Sequence, residues 1–260
     1  MRKLLMLLLA GTIISGCNND KNASEKTESS AKEETVESTV PAVQETTPVA
    51  TPVPAPGPLD KFLGSFVGPF GDNKITMLIT KVSGDSVVGR TIVGGNDRPF
   101  RGTFSKSGEN YAFNAKEPGD HKDDGEFNFT ISETNPAVVQ GSWKPFATAK
   151  PAKQYELQRR AFSYRPDVGD YPESSTRLLK VEDVENLIGA DLEFMRNEIF
   201  ARHGFCFNKK HLRQQFEMKD WYIPNTVNIK GFLTDVEKKN IALIKRYEKY
   251  AEQYGDEYGR

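Results

Sequence analysis

Between Leu59 and Phe162 the chain is cut into short apolar runs by turn sequences, among them Ser83-Gly84-Asp85, Ser107-Gly108-Glu109-Asn110 and Thr134-Asn135-Pro136. No other feature constrains the fold as strongly, because runs this short suit antiparallel hairpins and leave little room for amphipathic helices. Within the runs, apolar residues alternate with polar ones, as at Ile75, Met77 and Ile79 and again at Phe127, Phe129 and Ile131. A period of two places them on one face of a strand. The pattern predicts eight strands, over 62–69, 74–82, 86–93, 98–105, 110–116, 125–132, 138–144 and 153–161. Glycine opens a recurring triplet at Gly64-Ser65-Phe66, Gly89-Arg90-Thr91, Gly102-Thr103-Phe104 and Gly141-Ser142-Trp143. Inside a strand, glycine marks a bend or a close backbone approach, as at barrel corners. With short connections throughout, an antiparallel meander closed or nearly closed into a barrel is the simplest architecture.

The texture of this region is similar to that of small lipocalin-like or avidin-like barrels. A barrel of this size either holds one small ligand or fills with its own side chains. A filled core is expected, since no row of polar residues announces a lumen. Residues Glu117 to Gly125 gather carboxylates and His121, but Lys122 interrupts them and the alternate spacing of a calcium loop is missing. The segment is expected to be a solvated acidic hairpin loop.

The first seventeen residues carry a different message. Arg2 and Lys3 precede an apolar run from Leu4 to Ile14, too short to span a bilayer, and Ile14-Ser15-Gly16-Cys17 follows. This resembles a bacterial lipobox. It implies removal of residues 1–16 and attachment of diacylglycerol and palmitate-type chains at Cys17. At about 0.8 kcal/mol per buried methylene, two or three chains would hold a protein firmly at a membrane. By similarity to bacterial sorting rules, Asn18 directs it to the outer membrane where the cell has one. The stretch 18–58 has no aromatic residue and is rich in Ser, Thr, Glu, Lys and Pro. It cannot bury enough apolar surface to offset the entropy of ordering, so a disordered tether over 17–58 is expected.

Composition narrows the function classes. Hydrophobic residues at 37% and charged residues at 27% suit soluble domains, and a net charge of −1 without a basic run speaks against nucleic acid. If Cys17 is acylated, Cys206 has no partner for a disulfide. Cys206 follows His203 closely, yet it sits between Phe205 and Phe207, which predicts an inert thiol rather than a nucleophile. His203, His211 and Cys206 lack the paired spacing of a zinc site. No phosphate loop, nucleophile elbow or zincin motif occurs. No metal, no cofactor and no enzymatic activity are expected.

Beyond the joint 164–177 the period becomes helical. Helices are predicted over 181–188, 190–203, about 209–217, and from a Thr234-Asp235-Val236-Glu237 capping box to about Tyr254. Gly204 falls where a left-handed residue would end the second helix. The run Met195-Arg196-Asn197-Glu198-Ile199-Phe200-Ala201-Arg202-His203-Gly204-Phe205 resembles the signature of the YARHG domain, and Trp221-Tyr222-Ile223-Pro224 and Glu237 to Ile244 fit the same pattern in order. Phe200 replaces the name-giving tyrosine, keeping the ring and losing the hydroxyl. The resemblance covers about 75 residues within 178–254 and implies a small extracytoplasmic bacterial domain without naming a reaction.

Within that motif, Arg196, Glu198, Arg202 and His203 are candidate binding residues, with Trp221 and Tyr222 as walls of a pocket for an anionic group such as a peptide carboxylate. The preferred reading is structural: Glu198 and Arg202, four apart on a helix, form an internal ion pair, His203 helps end the helix, and Trp221 and Tyr222 are core aromatics. The chain is thus expected to be α+β: signal peptide 1–16, lipidated tether 17–58, antiparallel barrel 59–163, linker 164–177 and all-α domain 178–254. It is expected to act at a membrane surface as a binding or envelope-associated module, with an envelope protein, peptide or cell-wall component as partner. The alternative is a small-ligand carrier or an enzyme with its site in the barrel.

Overall fold

The computed structural model describes residues 57–119, 124–147 and 151–254. The expected signal peptide, Cys17 and the expected tether up to residue 56 lie outside the described residues, as do 120–123 of the acidic loop.

Eight antiparallel strands close into a barrel in simple meander order. They are β1 (Gly64–Phe70), β2 (Asn73–Ser83), β3 (Ser86–Val93), β4 (Asn96–Ser107), β5 (Asn110–Lys116), β6 (Gly125–Ser132), β7 (Val138–Pro145) and β8 (Lys153–Arg159). Closure runs through β1 and β8, where Phe66 pairs with Arg159 and Val67 with Gln158. All eight strands expected from the alternation are present, with ends displaced by a few residues.

The inward face explains both the glycines and the filled core. Phe62, on a single 3-10 turn at Asp60–Phe62, plugs one end, its ring centroid 4.6 Å from Tyr111. Phe66, Met77, Phe100, Phe113, Phe129 and Leu157 are buried in the same core. Bulky rings require thin backbone opposite them. A Cβ on Gly89 would lie 2.3 Å from the Phe100 ring, and one on Gly102 would lie 1.8 Å from the Asn114 carbonyl oxygen.

The rest of the described chain is helical: α1 (Glu173–Thr176), α2 (Gly189–Arg202), α3 (Lys210–Phe216) and α4 (Asp235–Tyr254). The capping box forms as expected, with the Thr234 amide donating to Glu237 Oε2 at 2.9 Å and the Glu237 amide to Thr234 Oγ1 at 3.2 Å. Gly204 adopts φ +70°, and the Phe205 amide returns to the Phe200 carbonyl at 3.1 Å, closing α2 with a Schellman turn.

One helix is corrected. Residues 181–188 form only a 3-10 turn at Val181–Asp183. Val184 is buried, but Val181 and Ile188 are both exposed, so no continuous apolar stripe exists to dock a longer helix. Asp183 instead turns back to accept from the Lys180 amide and the Arg177 guanidinium. No described helix is long and apolar enough to cross a membrane.

Barrel and helices meet over the outer face of β1–β3. Lys74 Nζ donates to the carbonyls of Lys219 and Tyr222 at 2.9 and 3.2 Å, and the Lys74 amide donates to Glu217 Oε2 at 3.0 Å. Outward-pointing Val67, Thr76 and Ile92 are buried on the same strands.

Candidate functional site

The alternation that fills the barrel also builds its open end. Several inward series change from apolar to polar at their last residue: Ile79, Met77, Ile75 and then Asn73; Phe104, Gly102, Phe100 and then Arg98; Tyr111, Phe113, Ala115 and then Glu117; Leu157, Tyr155 and then Lys153. These polar residues cluster at the end away from Phe62. They surround a cavity of ≈ 420 Å³ whose apolar wall is Phe70, Phe127 and Trp143. Thr91, Asn96 and the β3–β4 turn add to the barrel's share, and Arg213 of α3 reaches in from the helical region.

Glu117 anchors the polar side. It is buried, and its Oε2 accepts from the Gly125 amide at 2.9 Å and from Trp143 Nε1 at 3.2 Å. Burial raises its pKa, against the pull of the two hydrogen bonds and the Arg98 charge. The segment expected to be a solvated acidic loop is therefore corrected at both described ends: Glu117 and Asp124 are buried at the mouth. Glu117 continues the inward series of β5, and Asp124 forms an ion pair with Arg98. Lys153 Nζ lies 4.8 Å from the Phe70 centroid and 5.5 Å from that of Trp143, a cation held against two ring faces. Arg213 Nε donates to Asn73 Oδ1 at 2.9 Å, and its Nη1 donates to the Asn208 carbonyl.

The residues singled out in the helical motif are distributed differently. Glu198 and Arg202 form a wholly buried ion pair at 2.6 Å. All the donors of Arg202 are engaged: Nε with the Val168 carbonyl, Nη1 with Ser174 Oγ and Ser175 Oγ, and Nη2 with the Tyr171 carbonyl and Glu198. Glu198 also accepts from the amides of Asp170 and Tyr171 at 2.7 and 2.8 Å. His203 Nε2 donates to Glu237 Oε2 at 2.8 Å and stacks on Tyr164 with ring centroids 4.3 Å apart. Burial alone would raise the Glu237 pKa, yet hydrogen bonds from His203, the Thr234 amide and Ser175 outweigh it and hold the carboxyl low.

These groups share the segment around 168–176. Arg196 is occupied elsewhere, with Glu248 of α4 at 2.8 Å. Tyr222 is buried with Phe207 and Phe216, its hydroxyl donating to the Phe205 carbonyl at 2.8 Å, and Trp221 packs against that cluster. Cys206 is buried, accepts from the Gly95 amide at 3.2 Å, and has a pKa pushed by burial to about 11.

None of the mouth residues Glu117, Arg98, Lys153 or Arg213 was singled out by motif. The signal for the first three lay in the strand period, since each is one step beyond the last apolar residue of an inward series. Arg213 could not be found that way, because its approach depends on how α3 meets the barrel.

The YARHG domain family matches residues 169–249. The chain therefore carries, behind an eight-stranded barrel, a YARHG domain, a type that is generally extracellular. No curated protein and no solved structure matches the chain.

Proposed function

We propose that this chain is a lipid-anchored extracytoplasmic binding protein, and that the mouth of its barrel holds a small molecule without transforming it. The observation carrying this reading is the ≈ 420 Å³ cavity lined by three aromatic rings, with the buried Glu117 carboxyl hydrogen-bonded to Trp143 among them. Ligand sites typically span about 300–1,000 Å³ and combine an apolar lining with a few placed polar groups. The generally extracellular character of YARHG domains and the lipobox-like residues ending at Cys17 support the location. The ligand then comes from the envelope, as a peptide or a fragment of a cell-wall component. The non-catalytic reading is supported by Cys206, whose raised pKa is the opposite of what a nucleophile requires.

Two measurements test it. Saturation-transfer NMR of the full chain in mild detergent, against a panel of small aromatic compounds, should give signals that vanish in Thr91→Trp, which fills the cavity. Binding that survives this substitution places the site elsewhere. Cys17→Ala should move the protein from the membrane to the soluble fraction, and retention on washed membranes would remove the anchor.

A further inference from the structure

The charges around the mouth are unequal. Arg98 is paired with Asp124. Lys153 and Arg213 line the same cavity, and among the described residues neither forms an ion pair. Lys153 instead lies over Phe70 and Trp143, while Arg213 spends two of its nitrogens on Asn73 and Asn208. Two cations therefore face a cavity in which, among the described residues, the remaining ionisable group is Glu117, a carboxyl whose charged form burial disfavours. Lys153, half-buried against the two rings and without an ion-pair partner among the described residues, lacks the compensation that partly buried charges ordinarily have.

The rest of the lining fixes the shape of what could supply that compensation. Phe70, Phe127 and Trp143 offer ring faces and edges, with Phe70 and Trp143 packed edge-on at 5.7 Å. Such a wall favours a flat or apolar body over a bare inorganic ion. Glu117 has one oxygen committed to Trp143 and Gly125, while Oε1 has no hydrogen-bond partner among the described residues.

We propose that the barrel mouth selects an anion, a carboxylate or a phosphate, carried on an aromatic or apolar body, and that the YARHG domain completes this site by contributing Arg213. The inference rests on the barrel mouth being the binding site. It gives the helical domain a part in recognition through α3, with residues other than those of the Glu198–Arg202 network. Arg213 joins the site only because the helical region packs on β1–β3, so the two domains form one binding unit.

Calorimetric titration of the full chain in mild detergent with four matched probes tests the charge selection. The probes are 3-phenylpropionate, phenyl phosphate, the neutral 3-phenylpropanamide and the cationic 3-phenylpropylamine. At least one anion should bind about tenfold or more tightly than the amide, and the amine should bind most weakly, as expected for a charge-assisted contact. Whichever anion binds more tightly assigns the headgroup to carboxylate or phosphate.

Lys153→Gln should bring the anions down to the amide's affinity, and Lys153→Arg should restore the preference. Arg213→Gln should do the same as Lys153→Gln, with circular dichroism used to confirm that the joint still folds. Lys153 donates no hydrogen bond to another described residue, so its variant isolates charge from folding. Equal binding of amide, amine and anions overturns the charge selection and leaves the barrel-mouth site standing. Failure of all four probes to bind overturns both.

Discussion

Glu198 and Arg202, one turn apart on α2, form a 2.6 Å ion pair from which water is excluded, both side chains having no exposed surface. The pair grips the chain that precedes it, since Arg202 reaches the carbonyls of Val168 and Tyr171 and Glu198 takes the amides of Asp170 and Tyr171. A segment with almost no regular structure of its own is thereby fixed by one guanidinium and one carboxylate. Arg202→Ala should cost about 3–5 kcal/mol, because it leaves a buried carboxylate without its counter-charge. Arg202→Lys should recover little, having three donors on a single nitrogen in place of a planar fork. Urea denaturation of the full chain measures both, and a loss below about 1 kcal/mol for the alanine variant would show that the segment is held by other contacts.

Gly102 sits with its Cα against the β5 backbone, where a methyl group would lie 1.8 Å from the Asn114 oxygen. No side chain can move aside to relieve that contact. Gly102→Ala should therefore force β4 away from β5 and cost about 1–3 kcal/mol or more, as overpacking does. Gly84, in an open turn with nothing within 4 Å, has φ +62°, so Gly84→Asn should be tolerated far better. Thermal melts of the two variants distinguish packing from turn conformation.

The strand period made the barrel legible because each side chain's direction is fixed two residues at a time. Ile75, Met77 and Ile79 needed no knowledge of the rest of the chain to be placed inward. Glu117 reads as part of a wet loop because its neighbours Pro118 and Gly119 are turn formers and carboxylates follow it. The inward series of β5 carries it one step further than its composition implies. In the helical region, the Thr234–Glu237 box and Gly204 are local signals and were read correctly. The segment 181–188 failed because its apolar residues do not share one buried face, a fact settled by what α2 and α4 offer for contact. Arg213 belongs to a joint between domains, where no periodicity within one element reaches.

Cys206 provides a chemical check on the core of the helical region. With the thiol buried and its pKa raised to about 11, a disulfide reagent at pH 7 should modify it only as fast as the domain opens. The rate should follow urea concentration along the unfolding curve. Once the chain is unfolded, the count is also informative, since the sequence contains only Cys17 and Cys206. One reactive thiol per mature chain is expected where Cys17 is blocked by lipid. A fast native-state reaction would contradict the burial, and two thiols would contradict the modification.

Glu117 sets the pH dependence expected of the barrel. Burial raises its folded-state pKa above the unfolded value, so the protonated form is favoured by folding. Its contribution to stability is then fully present below the ordinary carboxylate value of 4.5 and is lost as pH rises through the raised value. Glu117→Gln retains an amide oxygen that can accept from both Trp143 Nε1 and the Gly125 amide, the two donors that Oε2 serves. The variant cannot ionise, so the share of the loss that Glu117 causes as pH rises above about 4.5 should disappear and the protein should become more stable at pH 7, while buried Glu217, with a pKa raised to about 7, keeps its own share. Chemical denaturation at intervals from pH 4 to 8 follows the difference between the two proteins. A gap that widens toward low pH would mean that the carboxylate is stabilised in the folded mouth and that the donors and Arg98 outweigh burial.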